Sequence, residues 1–206
     1  MNPKYSVDSF GTSTHTNITA VDLNRLVQLH LKCLPGSVFS RLGSKVTQLL
    51  YKYLFTSEYE RVTIIRDDTF AVVGASVVSF STNTLVRRLV WYYNPFLKNL
   101  VRENKLRTVS LTTNDTPIKD LTPELVFIYV DPELRSQGIG KALLEMAHGE
   151  AVRNGFTAIS IVTARQANNP AIKFYLQNGY VMDCKLTRGF TACIKMIKSL
   201  RTAIDR

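Results

Sequence analysis

The chain has 206 residues, enough for one sizeable core and short for two full domains. Its apolar fraction of 45% and charged fraction of 20% are those of a soluble globular protein, and every apolar run stops well short of a membrane span. The net charge of +10 suits a solvated basic surface or a polyanionic small ligand, and nucleic-acid signatures are absent from the sequence, so no nucleic-acid partner is expected. Cys33, Cys184 and Cys193 are too few and too scattered for a disulfide framework. No C-x-x-C occurs and His15, His30 and His148 lie far apart, so no metal site is expected. The stretch "MNPKYSVDSFGTSTHTN" has no apolar signal core, which predicts a cytoplasmic protein without a transmembrane segment. A homodimer is compatible with the chain.

In chain order, "TAVDLNRLVQLHLKCLPG" predicts a helix with Asp22 as N-cap, in which Leu23, Leu26, Val27, Leu29, His30 and Leu31 include a helical stripe, stopped by Pro35 and Gly36. "SVFSRLGSKVTQLLYKYLF" predicts a second helix, with Val38, Leu42, Val46, Leu49, Leu50 and Tyr53 on one face. "YERVTIIRDDTFAVVGASVVSF" predicts a hairpin turning at Asp67-Asp68, and Gly74 within its second run implies a bulge or a close approach. Residues 84 to 107 read as a helical insertion that Pro95 kinks or breaks, with Trp91, Tyr92, Tyr93 and Phe96 among six basic residues. Its apolar positions follow helical spacing, so packing on the core is preferred to a membrane or nucleic-acid contact. A polar loop follows over 108 to 122.

"PELVFIYV" predicts a strand from Glu124 to Val130, then a glycine turn, then a helix from about Gly140 to Arg153 ended by Asn154-Gly155. "FTAISIVTA" predicts another strand, and "NNPAIKFYLQNGY" a short helix with Asn168 as N-cap, Pro170 in its first turn and Asn178-Gly179 as its stop. "YVMDCKLTRGFTACIKMIK" predicts a last hairpin. Strands alternating with helices in this half imply a mixed α/β sheet.

The glycine turn is the most informative local pattern. A strand running into glycines that open a helix aims backbone N–H groups outward, and the helix dipole adds positive potential there. This arrangement favours a phosphate or pyrophosphate. A P-loop would need Ser or Thr where Ala142 follows Lys141, and a dinucleotide fingerprint would need glycine at Leu143. Arg135-Ser136-Gln137-Gly138-Ile139-Gly140 instead fits Arg/Gln-x-x-Gly-x-Gly/Ala. It stands behind Val130-Asp131-Pro132. Some thirty residues on, Asn168, Ala171, Tyr175 and Gly179-Tyr180 fall into N-x-x-A-x-x-x-Y-x-x-x-G-(aromatic).

Across Leu125 to Tyr180 the sequence resembles the GNAT superfamily of N-acetyltransferases. The resemblance implies one domain over 1–206, built on a mixed, mostly antiparallel twisted sheet flanked by helices, with 84–107 as an addition to the family pattern. It implies acetyl-coenzyme A as cosubstrate. Ile128, Tyr129 and Val130 would lie along the pantetheine arm, with the backbone of Ile128 and Val130 pairing to it. Arg135, Ser136, Gln137, Gly138, Ile139, Gly140 and Lys141 would cradle the pyrophosphate. Asn168 would contact the cofactor near its thiol end, and the Val130 N–H would polarise the thioester carbonyl.

Acyl transfer to an amine needs a neutral amine, an oxyanion donor and an outlet for the thiolate. By the resemblance, Tyr175 assists the thiolate and Glu124 is the base that deprotonates the amine, with Tyr129 a weaker candidate. Thr163 stands where some protein N-terminal acetylases carry Glu, which argues against that acceptor. The expected reaction is direct attack by a primary amine in a ternary complex, the acceptor being a small molecule such as an amino sugar. A protein lysine or N-terminal amine, or a non-catalytic acyl-coenzyme A sensor, are the alternatives.

Overall fold

The computed structural model describes residues 4–10, 18–93, 122–166, 169–188 and 191–200. The elements are β1 (Ser6–Phe10), α1 (Ala20–Cys33), α2 (Val38–Leu42), α3 (Ser44–Thr56), β2 (Glu60–Arg66), β3 (Val72–Ser79) and α4 (Thr82–Tyr92). After these come β4 (Glu124–Val130), a 3-10 turn (Pro132–Leu134), α5 (Ile139–Arg153), β5 (Ala158–Ala164), α6 (Pro170–Gln177), β6 (Val181–Arg188) and β7 (Thr191–Ser199). The seven strands hydrogen-bond in the order β1-β2-β3-β4-β5-β7-β6; β1–β2, β2–β3, β5–β7 and β6–β7 pair antiparallel, and β4 runs parallel to β5. The mixed, mostly antiparallel sheet expected from the sequence is therefore present.

The chain divides into two compact units, one of residues 1–79 with 126–150, the other of 80–125 with 151–206. In the first unit, α1 and α3 bury Leu26, Leu29, Leu50 and Leu54 and pack on β3 and β2. Alternation along β4 sends Phe127 and Tyr129 to this side, against His30 of α1. Val130 goes to the other side, into a cluster with Ile65, Val73 and the α5 residues Ile139 and Leu143. Gly74 is the close approach anticipated in the sequence: a Cβ there would lie 3.0 Å from the Tyr129 carbonyl oxygen and 3.2 Å from Leu143 Cδ1. The adjacent ladder bulges, Ile65 pairing with Gly74 and Arg66 with Val72. The extra residue, Val73, turns its carbonyl to the Asp131 N–H at 2.8 Å, tying the hairpin to the end of β4.

Three local expectations are corrected. The α1 cap is Thr19, whose Oγ1 accepts from the Asp22 N–H at 3.1 Å. Asp22 lies one turn inside, where the Arg66 guanidinium grips both its oxygens at 2.6 and 3.0 Å and holds its carboxyl below the ordinary range. The single helix expected over 37 to 55 is two helices, because the chain reverses at Gly43 with φ +93 and Ser37 caps a separate five-residue turn. The short late helix is capped by Asn169, which accepts from the Ala171 N–H at 3.0 Å, because the residue directly before Pro170 is the one with extended backbone. Asn168 lies outside the described residues.

The sequence reading also passed over β1, a five-residue strand pairing with β2 from Ser6↔Arg66 to Phe10↔Val62. Of the 84–107 stretch, the described helix α4 buries Leu85 and Leu89 and leaves Trp91 and Tyr92 exposed, so packing on the core accounts for only one of its faces. Residues 94–121, with Pro95 and Phe96, lie outside the described residues.

In the second unit, β7 lies between β5 and β6, so the last hairpin adds its edge strand beyond its own partner. Ile159, Ile161, Tyr175, Tyr180 and Met196 form buried apolar positions of this unit. β4 joins the parallel ladder through Glu124↔Ser160 and Leu125↔Ile161. None of the described helices is long and apolar enough to cross a membrane.

Candidate active site

β4 ends at Val130, and the chain then makes the 3-10 turn, passes Arg135 and enters α5. Ser136 has φ +64 and Gly138 φ +82, so two left-handed residues bracket Gln137. For Ser136 that backbone is a strain, of the kind that accumulates at binding loops. Arg135, Ser136, Gln137, Gly138 and Lys141 are all exposed, while Ile139 drops into the core. The Ala142 N–H closes the first helical bond, to the Gly138 carbonyl at 3.0 Å. Helix geometry thus leaves the N–H groups from Gly138 to Lys141 without intrahelical partners, at the positive end of a 15-residue helix. The seven sequence-predicted residues 135 to 141 form this turn and the start of α5, with Arg135 to Gly138 and Lys141 exposed and Ile139 buried.

The entry to this turn is locked by groups that the sequence reading did not find. Asp131 is buried and receives Arg25 Nη2 at 2.6 Å and Lys32 Nζ at 3.0 Å, both from α1. Burial works against its charge, but Lys32, the Glu133 N–H and Arg25 together hold its carboxyl below the ordinary range. Cys33, on the same helix, donates to the Val130 carbonyl at 3.4 Å. The partners lie about a hundred positions apart in sequence, and no local pattern signals them. Among the cations near the turn, Arg25 and Lys32 are thus committed to Asp131, and Arg135 and Lys141 stand at the turn itself.

Tyr129 is placed by the structure in a buried polar chain. Its hydroxyl lies 2.7 Å from that of Tyr51, which lies 3.0 Å from His30 Nδ1, and His30 Nε2 is 2.9 Å from Ser37 Oγ. Burial pushes the Tyr129 phenol well above its usual range, helped by Tyr51, so it is a donor and not a base at neutral pH. His30 is completely buried and its ring is lowered to about 4 by loss of hydration. The unfolded ring protonates near its ordinary 6.5. Between these values the unfolded chain binds a proton that the folded chain refuses, so stability is full above about 6.5 and declines as pH falls towards about 4. The loss attributable to this ring is at most roughly 3 kcal/mol. His30→Gln, which keeps polar atoms in the chain, should show a smaller drop in urea midpoint between pH 7 and 4.5 than the wild type. Equal drops would mean that the ring has access to water or a counter-charge.

In the second unit, Glu124 begins β4 buried, and its Oε2 accepts from Arg188 Nη2 at 2.7 Å. Burial opposes the Arg188 charge, but the Glu124 carboxylate prevails and raises the guanidinium. Arg188 was not anticipated, since the last hairpin offers no motif. Tyr175 is buried on α6 with its ring 5.4 Å from Phe174 and 5.5 Å from Tyr180, and burial pushes its phenol up to about 12. Thr163 Oγ1 and the Ala164 carbonyl accept from Asn169 Nδ2 at 3.0 and 2.8 Å, which fixes the start of α6 on the end of β5.

Comparison with known proteins gives a consistent picture. Residues 86–180 match the model of the acetyltransferase (GNAT) family. No curated protein matches. Among solved structures the chain is similar to an acetyltransferase of the GNAT family from Desulfovibrio desulfuricans, at 16% identity and a TM-score of 0.60, covering 96% of this chain and 99% of that one. It is similar to the ribosomal-protein-S18-alanine N-acetyltransferase of Escherichia coli, at 15% identity and a TM-score of 0.58, covering 97% and 96%. It is also similar to the PaiA N-acetyltransferase of Thermoplasma acidophilum, solved in complex with coenzyme A, at 15% identity and a TM-score of 0.58, covering 94% and 99%.

Proposed function

We propose that this chain, whose residues 86–180 match the model of the acetyltransferase (GNAT) family, works over the whole of 1–206 as one acetyl-coenzyme A-dependent N-acetyltransferase acting on a small primary amine. The observation that carries the cosubstrate is the exposed cradle of 135–141, with left-handed Ser136 and Gly138 and unfilled helix N–H groups. It offers several donors to a diphosphate, with the exposed cations Arg135 and Lys141 beside them, Lys141 lying 3.8 Å from Glu145 Oε1. The Thermoplasma relative with coenzyme A bound supports the same ligand. Along β4, the backbone of Ile128 and Val130 would pair with the pantetheine arm, and the Val130 N–H would face the thioester carbonyl.

The small amine is favoured over a protein terminus because Thr163, with its Oγ1 bonded to Asn169, stands where a glutamate would be expected for the latter. Incubation with acetyl-coenzyme A and a panel of amino sugars, polyamines and peptides, read by release of free thiol, tests the reading. Binding without turnover on any amine would make the protein an acyl-coenzyme A sensor instead.

Glu124 would take the amine's proton, directly or through a water, with Oε1 while Oε2 stays on Arg188. An ion pair of this kind is also a purely structural device, and the two roles differ in their pH signature. If Glu124 is the base, wild-type kcat/KM rises with pH and Glu124→Gln moves the profile towards the amine's own pKa, with the greatest loss at low pH. Superimposable profiles for wild type and Glu124→Gln would assign Glu124 to the ion pair alone.

A further inference from the structure

The cradle has a second anchor, at its exit. Tyr5, one residue before β1, donates its hydroxyl to Gln137 Oε1 at 2.5 Å. The contact joins positions 132 apart in the sequence. Tyr5 also packs against the cluster of Ile65, Val73, Val130, Ile139 and Leu143, so its ring is seated on the base of α5. Its backbone is equally fixed. Ser6 pairs with Arg66, and Arg66 is gripped by Asp8 at 2.8 Å and by both oxygens of Asp22. Tyr5 is therefore a stationary group on the first strand that reaches the glycine turn.

What such a group does follows from the chemistry of an amide side chain. Gln137 lies between the two left-handed residues and presents both an acceptor and a pair of donors. Towards an anion only the donors are useful, and a carbonyl oxygen in the same place would repel it. A phenol that donates to Oε1 occupies the acceptor end and leaves both N–H bonds for the ligand. We infer that Tyr5 is a positioning residue of the anion cradle, orienting the Gln137 amide for the coenzyme A diphosphate through their hydroxyl–amide contact. The inference rests on the reading that 135–141 takes that diphosphate. The two anchors are complementary: Arg25 and Lys32 hold the entry of the turn through Asp131, and Tyr5 holds its last side chain before Gly138.

The test uses the full-length chain with acetyl-coenzyme A, and with S-acetylpantetheine, which lacks the diphosphate. Tyr5→Phe keeps the ring and its packing and removes only the donor. Its calorimetric Kd for acetyl-coenzyme A should rise roughly 3- to 10-fold, the scale of one hydrogen bond. The KM for S-acetylpantetheine and for the amine should stay at wild-type values, a split that general loosening of the fold would not produce. Gln137→Ala, on an exposed turn, should weaken acetyl-coenzyme A similarly, and the double variant no further, because Tyr5 acts through Gln137. Additive losses, equal damage to both donors, or an unchanged Kd in Tyr5→Phe would overturn the inference. Gly138→Glu separates the levels. If that variant binds as well as wild type, the diphosphate reading itself falls and the Tyr5 role with it. If it loses binding while Tyr5→Phe keeps it, only the Tyr5 role falls.

Discussion

Gly138→Glu should give a folded protein that no longer binds acetyl-coenzyme A. The residue has φ +82, where a non-glycine side chain costs roughly 1–2 kcal/mol. A small domain has about 5–15 kcal/mol to lose, so the fold should tolerate this. Among the described residues, the two chain neighbours aside, no atom lies within 4 Å of a Cβ built there, so the new side chain does not meet the core. The space it enters is where the diphosphate would sit. A carboxylate about 4 Å from a phosphate at an effective dielectric near 20 costs around 4 kcal/mol, or about three orders of magnitude in affinity. Gly138→Ala carries the backbone strain without the charge and should lose far less. Calorimetry beside a thermal melt checks both variants. Undiminished affinity in folded Gly138→Glu would place the ligand elsewhere.

The parts of this structure that could be read from the sequence are those with a local cause. β4 and β5 are β-branched runs, the α5 start is marked by Gly138 and Gly140, and the stop of α6 by Asn178-Gly179. Each signal lies within a few residues of its effect. Boundaries failed where two local signals competed. Gly43 inside an apolar stripe looked tolerable, yet its positive φ splits the helix. Asp22 and Thr19 are both good caps, and the salt bridge to Arg66 shows which was needed elsewhere. The site was legible to the same degree. The candidate turn of 135–141 is contiguous, so its pattern is visible in the sequence. The groups that hold it, Arg25 and Lys32 on Asp131 and Tyr5 on Gln137, come from α1 and from the residue before β1 and are brought there only by the tertiary fold. Arg188 on Glu124 is the same case in the second unit. Even β1 was missed for this reason. "SVDSF" is short and half polar, and its strand character comes from pairing with β2 more than from its own residues.

Tyr175→Phe should lower kcat by about 10²-fold while leaving the fold and coenzyme A affinity in place. The ring's contacts with Phe174 and Tyr180 do not involve the hydroxyl, so packing survives. The size of the effect follows from a comparison of acidities. An alkyl thiol has a pKa of roughly 8.5. Tyr175 sits at about 12. Completing a proton transfer from this phenol to a departing thiolate would be uphill by more than three orders of magnitude, so the phenol cannot be a strong acid in this step. It can donate a charge-assisted hydrogen bond as the carbon–sulfur bond breaks and charge gathers on sulfur. Such a bond is worth roughly 1.5–3 kcal/mol, or about 10- to 150-fold in rate. The expected loss thus lies at the low end of the range for acid–base catalysis, which runs to about 10⁴-fold. Because burial keeps the phenol protonated throughout the ordinary pH range, its removal should scale the kcat–pH curve downward without changing its shape. A change of shape would mean that Tyr175 titrates during turnover. An unchanged kcat would leave it the packing role that its position between Phe174 and Tyr180 already explains.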